Sequence, residues 1–232
     1  MSGWRTDMSL STENVTVRRI IVRTLLITPS GALSPGPLSA MAVALGAKLG
    51  PVGGLAEALG HTLFELPYVA LLVRGFTKVE GVIKRYEKYL ALFVVVFLAW
   101  FALGLVQDAI RVAGGRVSVS VSAAGGSLVD AVIAGIVLTG GNVYFLLWWL
   151  TVGLPLIQDA ARLGAKGFTA MYASHVWMDY AWLALLAFGG GLARLLNPIL
   201  YSAMLTALAV VLLMFAVDIA ARTYLGRRLL PF

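Results

Sequence analysis

The sequence contains no cysteine and only two histidines among its 232 residues. The absence of cysteine excludes disulfide bonds, thiolate metal sites and cysteine nucleophiles, so the two histidines are the main candidates for nitrogen ligands and for proton carriers near neutral pH. Charged residues make up only 12% of the chain, whereas soluble domains carry about 25%. The sequence also lacks a Gly-x-x-x-x-Gly-Lys-Ser/Thr loop, so we expect no direct ATP hydrolysis.

Hydrophobic residues are abundant instead, at 60% of the chain, with a mean hydropathy of +0.90. A helix that crosses the hydrocarbon core of a bilayer needs about 20 predominantly apolar residues. Six segments satisfy this requirement and predict an all-α, polytopic membrane protein with six transmembrane helices: Thr24–Ala47, Val52–Val73, Tyr89–Gln107, Leu128–Ile157, Phe168–Ala187 and Ile199–Ala221.

These six helices predict one membrane domain over residues 24–221, with a polar tail over residues 1–23 and a short second tail over residues 222–232. The first nineteen residues lack the apolar core of a signal peptide, so we expect them to be retained.

The basic residues are distributed unevenly between the two ends of the predicted helices. With helices that alternate in direction, 14 Lys and Arg residues lie on the side of the N-terminus and 4 on the other side. The positive-inside rule then places both termini in the cytoplasm, and we expect a plasma-membrane protein. The net charge of +7 is not gathered in a basic run with interleaved aromatic residues, so we expect no nucleic-acid partner.

Two of the six predicted helices are interrupted near the middle by helix-breaking residues, which are Ser34, Pro35, Gly36 and Pro37 in helix 1 and Gly140, Gly141 and Asn142 in helix 4. Proline removes a backbone donor and glycine permits unusual backbone angles. Backbone freed in this way is tolerated at membrane depth only where it is buried in protein or lines a wet cavity. Since broken helices at matching positions point to a transporter's substrate site, these residues are the candidate substrate-binding residues.

Ionisable residues lie inside two other predicted helices, at helical spacing. Glu57, His61 and Glu65 are four residues apart in helix 2, as are His175 and Asp179 in helix 5, so each set shares one helix face. Charges at membrane depth are costly and usually pair with one another or mark an ion or substrate path. We predict that these five residues carry protons or face the charge of a substrate, and we expect no resident metal and no cofactor.

The order of these features suggests an internal repeat. A broken helix, a Leu-Gly-Ala-Lys segment and a histidine-acid helix occur twice, with the segments at Leu45–Lys48 and Leu163–Lys166. Three helices per half place the second half upside down relative to the first, as in inverted-repeat transporters. We interpret residues 111–127 as a tether between the halves. Although Gly46, Gly50 and Gly54 have the spacing of a close-packing helix face, Pro51 predicts a loop there instead.

These residues resemble the lysine exporter (LysE) translocator family, small inner-membrane proteins of about six helices that export amino acids. The resemblance rests on Ser34–Pro37 in helix 1, the small-residue segment Gly46–Gly54, Asn142 in helix 4 and the histidine-containing helix 5, and it extends over Leu25–Ala221. Where the family commonly has Asn-Pro in helix 4, this chain has asparagine followed by valine.

The resemblance implies a secondary exporter of amino acids or a similar small zwitterionic or cationic solute. Glu65 and Asp179 would face the amino group of the substrate or exchange protons with His61 and His175, and the two halves would rock about the midplane. The expected partners are the substrate and the lipid bilayer, with a homo-oligomer as a further option.

Divalent metal efflux is the alternative, because two histidines and three carboxylates form a nitrogen and oxygen ligand set suited to nickel, cobalt, zinc or cadmium. A third option is an intramembrane enzyme that uses the same groups as metal ligands or as acid and base. Catalysis does not require two matching halves, so we expect a transporter and not an enzyme.

Overall fold

The computed structural model describes residues 15–34, 36–116 and 126–229, without the side chains of residues 76–80, 82–84, 143, 193 and 194. Pro35 and most of the predicted tether lie outside this range. Over the described residues the chain is helical and contains no β-strand. The helices are α1 (Val17–Ile27), α2 (Pro29–Ala32), α3 (Pro37–Leu49), α4 (Pro51–Ala113), α5 (Leu128–Gly140), α6 (Val143–Leu150), α7 (Leu154–Arg162), α8 (Gly164–Gly191) and α9 (Pro198–Leu225), with a 3₁₀ turn at Leu192–Leu195.

The segment predicted as helix 1 is divided into three pieces. Helix α1 begins at Val17, seven residues before the predicted start, because the hydroxyl of Thr16 caps it by accepting a hydrogen bond from the backbone N–H of Arg19 at 3.2 Å. Helix α2 is a single turn that begins with a proline. Helix α3 begins with Pro37 after Gly36, whose backbone is extended.

Predicted helices 2 and 3 form one helical segment, α4, bent at Gly75, where the backbone angles are not helical (φ −158°, ψ 50°). The residues between the two predicted helices are therefore helical, although their charges suggested a gap. We call residues 51–74 the first arm and residues 76–113 the second arm. Both arms pack against the end of α5, since Gly140 contacts Phe64 and Gly141 contacts Val94.

The segment predicted as helix 4 is also divided, into α5, α6 and α7. Helix α5 ends at Gly140, and α6 begins after Asn142, whose backbone is extended. The axes of α5 and of Tyr144–Leu150 differ by 56°. The break predicted from the glycines therefore lies between α5 and α6.

Within the described part of the chain, two helices are long and apolar enough to cross a membrane by length and composition, Arg85–Ala113 of the second arm and Pro198–Leu225, and the bent α5–α6 pair would be a third span. By this test of length and hydropathy, the described residues therefore contain two or three of the six predicted spans. Helix α8 has 28 residues, enough to cross, but His175 and Asp179 lower its mean hydropathy. Large apolar side chains along α9 are exposed, such as Ile199 and Val217, as expected of a lipid-facing surface.

Glycines allow α8 to approach both α3 and the first arm closely. A Cβ atom at Gly46 would lie 2.1 Å from the backbone oxygen of Ala187, and one at Gly54 would lie 2.2 Å from that of Leu183. The prediction of a loop at these glycines is therefore wrong: Pro51 begins a new helix rather than ending a packing face, because a proline is tolerated in the first turn. Only Gly50, with φ 71°, lies between the two helices.

Ion pairs distinguish the two ends of the molecule. At one end, Lys48 of α3 pairs with Asp108 near the end of the second arm. At the other end, Arg23 of α1 pairs with Asp159 of α7. The hydroxyl of Tyr224, in the last turn of α9, donates to the backbone oxygen of Lys88 at 2.6 Å. We call these the Lys48 end and the Arg23 end.

Candidate functional site

A cavity of about 390 Å³ lies where the two helix breaks face each other. Its walls come from α2, the start of α3, the first arm, α6, α8 and the last turns of α9. Such a volume lies within the range of small-molecule sites, roughly 300–1,000 Å³.

Most of the predicted site residues line this cavity, namely Ser34, Gly36, Pro37, His61, Glu65, Asn142, His175 and Asp179. Gly140 and Gly141 do not line it, because they pack against Phe64 and Val94, and a Cβ at either position would lie 2.5 Å or less from those side chains. Glu57 does not line it either. Its side chain is fully buried, and neither carboxylate oxygen has a hydrogen-bond partner among the described residues.

The two histidines and two of the predicted carboxylates form one buried group, which we call the His–carboxylate cluster: His61, Glu65, His175 and Asp179. The Nε2 atom of His61 lies 3.4 Å from Oε2 of Glu65 and 3.8 Å from Oδ2 of Asp179. The Nε2 atom of His175 lies 3.1 Å from Oε1 of Glu65 and 3.3 Å from Oδ2 of Asp179. Each carboxylate therefore lies between both imidazole rings, and the face predicted for each helix brings the cluster together.

Threonine side chains hold the other ring nitrogen of each histidine. The hydroxyl of Thr139 lies 2.9 Å from Nδ1 of His61, and the hydroxyl of Thr28 lies 2.9 Å from Nδ1 of His175. Thr28 lies at the junction of α1 and α2, six residues before the break at Ser34–Pro37, and Thr139 is the second-last residue of α5, beside the break after Gly140. These bonds fix the rings and direct both Nε2 atoms to the carboxylates.

Aromatic donors complete the surroundings of Glu65. The indole N–H of Trp149 donates to Oε1 at 3.0 Å, and the hydroxyl of Tyr172 donates to Oε2 at 3.2 Å. Glu65 is thereby contacted by two histidines and two aromatic donors while its side chain is completely buried. Hydrogen bonds to a charged acceptor are among the stronger ones in proteins, so this carboxylate is held in one position.

The two helix N-termini on the cavity wall differ in how they are capped. The side-chain oxygen of Asn142 accepts hydrogen bonds from the backbone N–H groups of Tyr144 and Phe145, at 3.0 and 3.4 Å, and so caps α6. Helix α3 begins at Pro37 with no side-chain cap. The first N–H groups of a helix lack partners within it and carry a partial positive charge, so α3 offers the cavity an anion-binding end.

Arg222 lines the cavity wall as one half of an ion pair with Asp218. Its Nε lies 2.6 Å from Oδ2 of Asp218, and its guanidinium lies 4.5 Å from the centre of the Tyr144 ring. The backbone N–H of Leu229 donates to the other oxygen of Asp218 at 2.8 Å. The predicted tail began at Arg222, but α9 continues to Leu225 because its C-terminus is closed only by the left-handed Gly226.

Sequence reasoning missed several of these residues, notably Thr28, Tyr172 and Arg222. One signal was available for the first of them. Thr28 directly precedes Pro29, where α2 begins, and Thr139 directly precedes Gly140, where α5 ends, so each threonine adjoins a helix-breaking residue. Tyr172 and Arg222 carry no such local signal, since only the packing of distant helices brings them to the cavity.

A family model for LysE type translocators matches residues 29–223 of the chain. Searches of curated proteins and of solved structures found no match. The matched region begins at α2 and ends in the last turns of α9, so it includes both helix breaks, the His–carboxylate cluster and Arg222. The chain therefore belongs to the LysE type translocator family.

Proposed function

We propose that the protein exports amino acids, or a similar small zwitterionic or cationic solute, from the cytoplasm in exchange for protons. Membership of a translocator family supports transport rather than catalysis. The observation that carries the proposal is the cavity of about 390 Å³ between two interrupted helices, with the His–carboxylate cluster in its wall.

The walls of the cavity suit both charged groups of an amino acid. Glu65 and Asp179 would receive the amino group. The uncapped start of α3 would receive the carboxylate, because free backbone N–H groups and the helix dipole both favour an anion there. Arg222, at the cavity wall in α9, offers a second partner for the same group. The aromatic side chains of Phe145 and Trp148 provide an apolar wall for the rest of the solute.

The arrangement of the cluster supports proton coupling. Each imidazole lies 3.1–3.8 Å from both carboxylates, so protons can be exchanged between them without large movements. Histidine is the side chain whose charge changes most readily near neutral pH. Binding of a cationic amino group beside Glu65 and Asp179 would favour loss of protons from the histidines, because like charges repel at short range. Solute and protons would thereby compete for the same carboxylates.

Two inverted halves of three spans each would account for the crossed contacts at the cluster. The first half would contain α1–α4 and the second α5–α9. Thr28 of the first half binds His175 of the second, and Thr139 of the second binds His61 of the first. Both carboxylates of the cluster likewise contact a histidine of each half. A relative movement of the halves would change the four contacts that cross between them, namely Thr28–His175, Thr139–His61, His61–Asp179 and His175–Glu65, as alternating access requires.

The cavity would open to the cytoplasm in this conformation. Asp218 and Arg222 line it, and they lie at the C-terminal part of α9, toward the Arg23 end. Neither Lys48 nor Asp108 lines the cavity. With both termini in the cytoplasm of a plasma-membrane protein, as the distribution of basic residues predicts, the Lys48 end would be the closed outer side.

Transport by purified protein in lipid vesicles tests the proposal. We expect a labelled amino acid from a panel to move when a pH gradient of the correct sign is imposed, and we expect Glu65→Gln and Asp179→Asn to remove this movement. Asp130→Asn is the matched control, because Asp130 is exposed at the start of α5. The proposal is wrong if no amino acid moves under either gradient, or if both cluster variants transport normally.

Divalent metal efflux remains the second candidate, because the cluster contains two imidazole nitrogens and two carboxylates in contact. Vesicles loaded with nickel, cobalt or zinc ions separate it from amino-acid export in the same assay. Movement of a metal and of no amino acid would favour this candidate.

A further inference from the structure

We propose that the His–carboxylate cluster is a binding site for one divalent transition-metal ion, held by His61, Glu65 and Asp179. This inference rests on the same cluster as the proposed function, and it concerns what the cluster binds rather than what the protein moves. A bound ion would compete with the amino group of the solute and with protons for Glu65 and Asp179. It also replaces the expectation, drawn from the sequence, that these residues hold no metal.

The spacing of the ligand atoms carries the proposal. One ligand atom each from His61, Glu65 and Asp179 lie within 4.8 Å of one another. The four imidazole–carboxylate distances in the cluster fall between 3.1 and 3.8 Å. Bonds of about 2.0–2.1 Å at tetrahedral angles would place ligand atoms roughly 3.4 Å apart, so the three side chains would have to draw closer together around an ion.

Hydrogen bonding leaves suitable atoms free for the ion. Nε2 of His61 and Oδ2 of Asp179 are buried and have no hydrogen-bond partner among the described residues. A histidine ligand normally uses its second ring nitrogen to bind a neighbouring acceptor, which fixes the ring. Here Thr139 and Thr28 contact Nδ1 of the two histidines at 2.9 Å each. If the Thr139 hydroxyl accepts from Nδ1–H of His61, the Nε2 atom of His61 is unprotonated and able to bind a metal.

Charge and ligand type indicate the class of ion. Two carboxylates and two neutral imidazoles carry two negative charges, which a divalent cation neutralises inside a buried site. A nitrogen and oxygen set without thiolates suits zinc, cobalt, nickel, iron or manganese ions rather than copper(I). Calcium and magnesium prefer sites made of oxygen alone, so we expect them to bind much more weakly.

Metal binding to the purified full-length protein in detergent tests this inference without any transport measurement. After treatment with a chelator, we expect the protein to bind one Co²⁺ per chain with the visible absorption of a tetrahedral site, and Zn²⁺ to displace it. His61→Ala and Asp179→Asn should remove binding. Thr139→Val should weaken it by about 10- to 100-fold, as is typical for loss of a group that orients a metal ligand.

Asp130→Asn is the matched control and should bind as the wild type does. Since a cluster variant could fail to fold, each variant is first compared with the wild type by circular dichroism and gel filtration, and Thr139→Val provides a milder test. The inference is overturned if well-folded wild type binds Co²⁺ and Zn²⁺ no better than the cluster variants do. It is equally overturned if binding is unaffected in every folded variant.

Discussion

At the scale of single residues, the position of Glu65 depends on donors that come from other helices. Trp149 lies in α6 and Tyr172 in α8, and both donate to this one carboxylate. If such a donor is removed, the buried carboxylate oxygen is left without a hydrogen bond, because it cannot bind water in its place, and this raises the free energy of the folded state. The hydrogen bonds around the cluster, and not the cluster residues alone, should therefore control transport.

Replacing Trp149 with phenylalanine tests this dependence. Trp149→Phe removes the indole donor to Glu65 while keeping an aromatic ring, and we expect about a 10- to 100-fold lower rate of solute export, since a hydrogen bond to a charged group contributes about 1.5–3 kcal/mol. Trp182→Phe is the matched control, because the Trp182 indole N–H has no partner within the described part of the chain. Initial rates in vesicles are the measurement, and equal losses in both variants would contradict the argument.

At the scale of elements, two asparagine residues that cap helices allow an effect on stability to be distinguished from an effect on transport. Asn142 caps α6 at the cavity, and Asn197 caps α9 away from it by accepting from the backbone N–H of Leu200 at 2.9 Å. Loss of such a cap typically costs about 0.5–2 kcal/mol. We expect Asn142→Ala and Asn197→Ala to lower the thermal unfolding temperature similarly, but only Asn142→Ala to reduce export. If Asn197→Ala reduces export as much, the effect of Asn142 lies in stability alone.

The close contact between the first arm and α5 gives a second prediction at this scale. A Cβ at Gly60 would lie 2.0 Å from the backbone oxygen of Val132, and one at Gly135 would lie 2.1 Å from that of Glu57. Because two backbones must separate to admit a methyl group, we expect Gly60→Ala to lower the free energy of unfolding. Overpacking typically costs about 1–3 kcal/mol, and we expect a loss of this size or larger.

Gly104 provides the control for that substitution within the same helix. It lies in the second arm with nothing within 4 Å of a built Cβ. Gly104→Ala should therefore leave stability unchanged or raise it slightly, since alanine favours helix more than glycine does. Thermal unfolding in detergent compares the two variants. Equal unfolding temperatures for Gly60→Ala and the wild type would mean that the helices are not packed as closely as described.

At the scale of the whole molecule, local patterns predicted much of the site. Helical spacing put His61 and Glu65 on one face and His175 and Asp179 on another, and the breaks at Pro37 and Gly141 follow from backbone chemistry. Such features depend on residues close together in the sequence.

Contacts between distant residues were not predictable in the same way. Thr28 and His175 are 147 positions apart, and a single sequence contains no signal for which helices become neighbours. The same reason explains the close packing of Gly46 and Gly54 on α8, where a nearby Pro51 favoured a loop. The helical conformation around the bend at Gly75 was not predicted either, because the charges of residues 74–88 suggested a gap between two helices.

The direction in which the cavity opens is a property of the whole molecule, and the lack of cysteine makes it directly measurable. Ser34 is exposed and lines the cavity, whereas Arg116 is exposed just beyond α4, near the Lys48 end. We expect Ser34→Cys to react with a membrane-impermeant maleimide in inside-out vesicles and much less in right-side-out ones, with the opposite result for Arg116→Cys. A transported solute should slow the reaction at Ser34→Cys by occupying the cavity, but not at Arg116→Cys. Reaction of both variants from the same side would contradict the orientation, because the cavity and the Lys48 end would then not lie on opposite sides of the bilayer.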